Sequence, residues 1–393
     1  MSDAILTLNA GSSSLKFALF EIKDGRRLLL AAKGEIEKMD SAPHLTAQDA
    51  QGKLIAEQSW AAAPAYDALI AQVLSWAESR LNGDRLIAVG HRIVHGGPDH
   101  AEPELVTLEL LDALDALVPL APLHLPHNIA PIGAIATARP DLAQVVVFDT
   151  AFHRTMPEIA TRIAIPNRYE EEGVRRYGFH GLSYEYIAGR LKEIAPVLAQ
   201  ARVIVAHLGN GASLCALKNG RSIDTTMGFS ALDGLVMGTR PGDIDAGVLL
   251  YLQERHGMDV KTLEKLLYNE SGLKGVSGIS GDMRTLLASQ DLSAKEAVAL
   301  FVFRLAREIG ALTASLGGLD GLVFTAGIGE HAPEIRAMTV ERLSWLGAKL
   351  DGAANARNDC LIGSGDSRIA LYAIPADEEI MIARHALEVI RAA

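Results

Sequence analysis

At 393 residues the chain is longer than one ordinary core supports, and two domains are expected. Hydrophobic residues make up 49% and charged residues 22%, which excludes a disordered or fibrous chain and allows a sizeable core. The formal net charge of -11 offers no overall field to nucleic acid or to an anionic membrane, so an anionic substrate must be met by a local basic site.

No basic segment precedes the short apolar run at the N-terminus, so no secretory signal is read there and a cytoplasmic protein is expected. Residues 5–8 read as a strand, 9–14 as a small-residue loop, 15–22 as a strand, Asp24-Gly25 as a hairpin turn and 27–32 as a third strand. Residues 64–81 have the spacing of an amphipathic helix, and buried strands follow at 86–89 and 145–148. The intervening stretch 114–138 is the most apolar, but Pro119, Pro122, Pro126 and Pro131 break it and it contains His124, His127 and Asn128. It is not a membrane span, and His124 and His127 are expected in a Pro-rich turn.

Near the middle of the chain the opening is written again. A strand at 203–206, the loop Gly209-Asn210-Gly211-Ala212-Ser213, a strand at 214–218, the turn Asn219-Gly220 and a strand at 221–225 follow in the same order. A unit of this length recurring once, about half the chain on, argues for two similarly built domains that face each other. Helices at 261–268 and 295–316, a strand at 322–325, a strand at 369–374 and a final helix complete an α/β pattern. The cysteines, Cys215 and Cys360, lie far apart and make neither a disulfide framework nor a thiolate metal site. His91 and His95 are followed by Gly96-Gly97, which does not suit the helix that a zinc pair at this spacing requires.

Small-residue loops carry the candidate phosphate chemistry. In Asn9-Ala10-Gly11-Ser12-Ser13-Ser14-Leu15-Lys16 the glycine admits close backbone approach, hydroxyls and N–H groups donate, and Lys16 adds a point charge. Taken alone such a loop is an ordinary tight connection, and it lacks the Lys-Ser/Thr end of a Walker loop. The loop 207–213 has the same character at the matching place, and Thr325-Ala326-Gly327-Ile328-Gly329-Glu330 reads as a Gly-rich turn leading through Pro333 into a helix. Arg92 after a strand and Arg240 among flexible neighbours suit bidentate contact with carboxylate or phosphate, or are solvated surface arginines. Asp149, at the C-terminal end of an apolar strand, is either a ligand-handling residue or a cap. His180, in Tyr177-Gly178-Phe179-His180-Gly181, precedes a helix beginning near Ser183.

Read together, segments 8–17, 91–97, 148–153, 177–184, 206–214, 224–247, 277–284, 324–330 and 374–379 resemble, in order and from end to end, the acetokinase family of the acetate and sugar kinase, heat-shock ATPase and actin superfamily. The resemblance implies reversible, ATP-dependent phosphorylation of acetate to acetyl phosphate by direct in-line transfer. It implies two duplicated actin-like (ribonuclease H-like) α/β domains with an active-site cleft between them. The first would cover 1–149 plus 380–393, the C-terminal helix returning to it, and the second, nucleotide-binding domain 150–379. It further implies Mg2+ or Mn2+, ATP or ADP as co-substrate, a homodimer, and no nucleic acid or membrane partner.

Carried over by resemblance, Asn9 and Glu378 are expected at the metal. Ser12, Ser14 and Lys16 are expected at the nucleotide, with His207, Leu208, Gly209, Asn210, Gly211, Asp282, Met283, Arg284, Gly327, Ile328, Gly329, Glu330 and His331. Arg92 is expected to bind the substrate carboxylate, with Val94, Leu123, Phe179 and Ala231 around its methyl group. Asp149 is expected as the active-site acid, orienting a metal-bound water or an arginine rather than acting as a base, and His180 and Arg240 as transition-state stabilisers. A carboxylate is already ionised at neutral pH, so the difficulty is charge: two negative charges at about 3.5 Å repel by roughly 5 kcal/mol at an effective dielectric of ~20. Arginines, a histidine and magnesium offset that repulsion.

Three departures from the family pattern stand out. Ala376-Asp377-Glu378-Glu379 replaces the usual Thr-Asn-Glu-Glu, His331 replaces an Asn, and Ala231 replaces a Pro beside the acyl pocket. The smaller side chain leaves propionate or butyrate as an alternative substrate. A reading from another class is an actin-like or heat-shock-like ATPase switch; Arg92, His180 and Arg240 stand against it, because a water nucleophile does not require three cations.

Overall fold

In the computed structural model, which describes residues 3–11, 13–81 and 83–393, the chain divides into two compact units, Met1–Ala151 with Asp377–Ala393, and Phe152–Ala376. The divides fall at 151/152 and 376/377, where the sequence reading places 149/150 and 379/380.

In the first unit β1 (Asp3–Ala10), β2 (Ser14–Lys23), β3 (Arg27–Glu37), β4 (His44–Asp49) and β5 (Leu54–Ser59) form an antiparallel meander. β6 (Arg85–Ile93) runs parallel to β1, and β7 (Glu104–Leu105) is a short antiparallel edge on β8 (Ala143–Phe148), itself parallel to β6. Among the described residues the order is β5-β4-β3-β2-β1-β6-β8-β7.

β1 is apolar almost throughout because both of its faces are covered. Leu6 and Leu8 join Leu15, Phe17 and, from the helix Tyr66–Arg80, Ile70, Val73 and Leu74. Ile5 joins Ala18, Phe20, Ala88 and Val145 under Ala383, Ala386 and Leu387 of the helix Glu378–Ala392.

In the second unit β9 (Arg202–Leu208), β10 (Ala212–Lys218) and β11 (Arg221–Thr225) are antiparallel, and β12 (Gly321–Thr325) and β13 (Ala370–Ala373) continue from β9 in parallel. The order β11-β10-β9-β12-β13 repeats β3-β2-β1-β6-β8 of the first unit, so the α/β class and the expected actin-like duplication are both present. Val203, Val205, Cys215 and Val323 pack with Tyr184, Ile187 and Leu191 of the helix Gly181–Ile194, and the helix Leu292–Leu316 lies against β10. Both hairpins turn as read. Asp24 and Gly25 have φ of 51° and 68°, and Asn219 and Gly220 54° and 70°, the left-handed pair that Asp-Gly and Asn-Gly supply.

Three expectations are corrected. Residues 125–138 are not a Pro-rich turn: they form the helix Leu125–Ala138, with Pro126 in its first turn and Pro131 inside it, held by the burial of Leu125, Ile132 and Ile135. The Gly-rich segment after β12 is itself the short helix Ala326–His331. The helix expected at 261–268 ends at Lys265 and widens into a π-type turn, Leu266–Glu270. β4, β5, β7 and the helix Leu108–Ala116 have no counterpart in the sequence reading. Among the described residues no helix is long and apolar enough to cross a membrane.

Candidate active site

Parallel pairing in the first unit brings the candidate residues to one edge of the sheet. Leu8 of β1 is opposite His91 of β6, so Asn9 comes beside Arg92. Arg92 is opposite Val147 of β8; two residues on, and hence on the same face, stands Asp149, whose amide donates to Ile93 O at 2.9 Å. This is the carboxyl edge of the parallel strands, where α/β sheets handle ligands.

The side chains meet there. Arg92 Nη1 donates to Asn9 Oδ1 at 2.9 Å and Nη2 to Asp149 Oδ2, while Nε lies 3.9 Å from Glu378 Oε2. Asn9 Nδ2 donates to the same Glu378 oxygen at 3.3 Å. Glu378 opens the C-terminal helix, whose cap Asp377 accepts from Ile380 N.

Burial works to lower the Arg92 pKa, but Asp149 and Glu378 together outweigh it and hold the guanidinium more firmly protonated than usual. Burial pushes Glu378 up to about 7; Arg92 opposes the shift, and the Asp149 and Glu379 carboxylates add to it. Burial is the largest of these effects, and a cation placed beside the cluster would favour the ionised Glu378.

Magnesium is typically held by one or two carboxylates, with water and phosphate oxygens completing its shell. The donors here are oxygens: Asn9, Glu378 and Asp149 Oδ1, which is buried without a hydrogen-bond partner among the described residues. This hard oxygen set fits Mg2+ or Mn2+. Among the described residues no group of three or more His, Cys, Asp or Glu is arranged to hold a metal alone.

Of the remaining first-unit residues, Val94 is buried and Leu123 half-buried. Ser14 opens β2, and Lys16, opposite Asn9 and Glu35 in register, lines a cavity of about 300 Å³ with Lys33, Glu35 and Glu379. Ser12 lies outside the described residues.

The second unit has its own cluster. His180 caps the helix Gly181–Ile194 in a left-handed conformation, φ 58°, which turns its ring back over the sheet. The ring stacks on His207 at 4.1 Å and 13°. Each imidazole meets a hydroxyl through Nδ1, His180 at Ser213 and His207 at Ser183, both at 2.8 Å, and Tyr184 also bonds Ser213.

Arg240 is anchored by Nη1 to Ala231 O at 2.7 Å, and its burial pulls its pKa down, with Tyr268 opposing. A Cβ on Gly211 would lie 2.8 Å from Arg240 Nη2 and 3.2 Å from His180 Nε2, so the guanidinium and the imidazole converge over a position only glycine leaves open. Phe179 is buried and Ala231 half-buried beside them.

Gly209, Asn210, Asp282, Met283, Arg284, Gly327, Ile328 and His331 line one cavity of about 490 Å³ in this unit, with Leu287, Ala332 and Glu334, which the sequence reading did not name. His207, Leu208, Gly211, Gly329 and Glu330 lie outside its lining; Leu208 is core, and Glu330 accepts from Ala376 N.

Arg336 was also missed. Fully buried, it donates to the carbonyls of Gly329 and Glu330 at 2.8 Å and to Asn355 and Asn358, bracing the segment 327–331 from behind. No local signal marks it, since its partners become neighbours only on folding.

A profile of the acetokinase family matches residues 4–384. An acetate kinase of Rhodopseudomonas palustris (strain TIE-1) is 53% identical over 392 residues, covering 98% of each chain. One from Nitrobacter hamburgensis is 50% identical, covering 99% of this chain and 96% of that one. Among solved structures, a propionate kinase from Francisella tularensis superposes with a TM-score of 0.90 at 36% identity, covering 98% of each chain. Porphyromonas gingivalis acetate kinase superposes with 0.87 at 35%, covering 99% of this chain and 100% of that one.

Proposed function

The chain belongs to the acetokinase family, and we propose that it transfers the terminal phosphoryl group of ATP to acetate, reversibly, giving acetyl phosphate and ADP. The observation that carries the reading is Arg92: a half-buried guanidinium fork at the end of β6, already oriented by Asn9, Asp149 and Glu378.

Acetate arrives ionised, so no residue has to take a proton from it. Arg92 binds the carboxylate and aims one oxygen at phosphorus. Asp149 and Asn9 hold the guanidinium while it does so, which limits misalignment at the moment of transfer. Arg240 and His180, converging over Gly211, meet charge that builds on the equatorial phosphoryl oxygens as the bond to ADP breaks and the bond to acetate forms. The residues around the 490 Å³ cavity bind the nucleotide, and Lys16 and Ser14 donate to its phosphates. Asn9 and Glu378 would hold Mg2+, with Asp149 orienting a water on it; the ion, when bound, neutralises phosphate charge.

Val94, Leu123, Phe179 and Ala231 are proposed to bound the acyl methyl group. The propionate kinase likeness, with the small Ala231, keeps propionate as a second reading, since one methylene changes selectivity by only about 10 to 200-fold. Cytoplasmic location and a homodimer are also proposed; sedimentation at micromolar concentration tests the second.

Incubation with MgATP and acetate, propionate or butyrate, with hydroxylamine as trap, tests the activity. Acyl hydroxamate is expected, most from acetate; loss of ATP without hydroxamate would favour an ATPase. Arg92→Ala and Arg240→Ala should each lower kcat by about 10² to 10³. Less than a threefold change in both removes them from the catalytic set.

A further inference from the structure

At the edge of the first unit's sheet a parallel ladder comes apart. β1 and β6 pair from Asp3 and Arg85 as far as Leu8 and His91, and the pairing stops there. Both backbones continue, to Ala10 on one side and to Val94 on the other, and both residues are buried, at 4% and 6% exposure. Buried backbone groups leaving a ladder need new partners.

Asn128 supplies them. Its Nδ2 donates to Ala10 O at 2.6 Å, and Val94 N donates to its Oδ1 at 2.9 Å. A carboxamide carries the donor and acceptor of a peptide unit, so this side chain stands as one inserted rung between parted strands. Asn128 lies on the buried stripe of the helix Leu125–Ala138, between Leu125 and Ile132, where an apolar residue is the ordinary choice.

The parting matters because of what stands beside it. Ala10 follows Asn9, and Val94 lies two residues after Arg92. The two side chains that meet at 2.9 Å are therefore carried by the backbones that Asn128 holds apart.

We propose that Asn128 is a positioning residue for phosphoryl transfer: it touches no reacting atom, and by bridging Ala10 and Val94 it fixes the separation at which Arg92 is aligned by Asn9. This rests on Arg92 being the carboxylate ligand of the reaction proposed above. Without the rung the strands close up or splay, and an error of about 1 Å in the aim of Arg92 costs about 10²-fold in rate.

The test uses the full chain with Asn128→Ala and Asn128→Asp. Asn128→Ala should lower kcat about 10²-fold, leave KM for ATP within about twofold, and speed hydrogen exchange at the Val94 amide. An ionised Asp accepts from Val94 N but faces Ala10 O without a donor, whereas a protonated Asp restores both bonds, and burial raises its pKa. The ratio of Asn128→Asp to wild-type kcat should thus climb as pH is lowered from about 8 to about 6. Taking the ratio at each pH cancels groups that both proteins share, among them His127 beside Asn128, His124 at the start of the helix, and His91, Arg92 and His95 on the segment that carries Val94.

A folded Asn128→Ala with kcat within threefold of wild type overturns the proposal, as does a loss of kcat only in proportion to the unfolded fraction. If Asn128→Ala does not fold, a pH-independent Asn128→Asp ratio overturns it and a climbing one supports it. A wild-type protein that makes no acyl phosphate sinks the functional reading instead, while Val94 exchange still reports the rung.

Discussion

His91 shows what one buried group does to the pH dependence of the molecule. It is 1% exposed on β6, with Nε2 2.9 Å from Gln144 Oε1, so the neutral tautomer carries its hydrogen on Nε2. Burial pulls its pKa down to about 4, against the opposing hydrogen bond to Gln144. Below the ordinary value of 6.5 the unfolded chain takes up a proton that the folded one refuses. Its contribution is therefore whole above pH 6.5 and is lost as pH falls to about 4, by roughly 3 kcal/mol. Because the raised pKa of Glu378 works in the opposite direction over the same range, the test is the difference between the two proteins: the urea midpoint of His91→Gln should gain on the wild type as pH falls from 7 to 5, and a difference independent of pH would show that the histidine is not held neutral.

At this scale the kinds of residue were legible and their partnerships were not. Asn9 and Glu378, which only the family resemblance had put together, bond across 369 positions, where no spacing rule reaches. Asn128 and Arg336 were invisible because an amide or a guanidinium is called structural or functional by what folds around it.

Elements were legible where local chemistry agrees with tertiary context. Asp24-Gly25 and Asn219-Gly220 specify left-handed turns whatever surrounds them, and β1, β2 and β9 are apolar enough to declare themselves. The helix Leu125–Ala138 was hidden because two prolines argue locally against it, and only burial of its apolar stripe overrides them. β4 and β5 were hidden by Ala, Gln, Glu and Asp, which lack strand preference; β4 buries only Leu45 and Ala47.

Gly90 had a role that belongs to this scale as well, because it sets how closely the C-terminal helix lies on β6. A Cβ there would lie 2.7 Å from Ile382 Cγ2 and 3.3 Å from Ala386 Cβ. Gly90→Val should destabilise by about 1 to 3 kcal/mol in thermal or urea unfolding, and Ile382→Ala in the same chain should return part of the loss. Additive losses in the double variant would mean that the two side chains do not compete for the space.

For the whole molecule, the duplication was legible because the repeat is of strand, turn and loop rather than of residue identity. What was not legible is how each sheet is covered. In the first unit the face formed by Ile5, Ala18, Phe20, Ala88 and Val145 is closed by Ala383, Ala386 and Leu387, far along the chain. A chain stopped after Asp377 should lose that cover. Limited proteolysis should then cut within residues 3–151 while fragments spanning 152–376 persist; equal resistance of both would show that the helix is dispensable.

That helix also dictates an order of events on the ribosome. Residues Met1–Ala151 leave the exit tunnel first, yet their sheet keeps one apolar face bare until Glu378–Ala392 has been translated. Phe152–Ala376 has its whole sheet in hand before then. The half made first is the half finished last, and throughout the synthesis of the other its bare face is what a nascent-chain chaperone would shield.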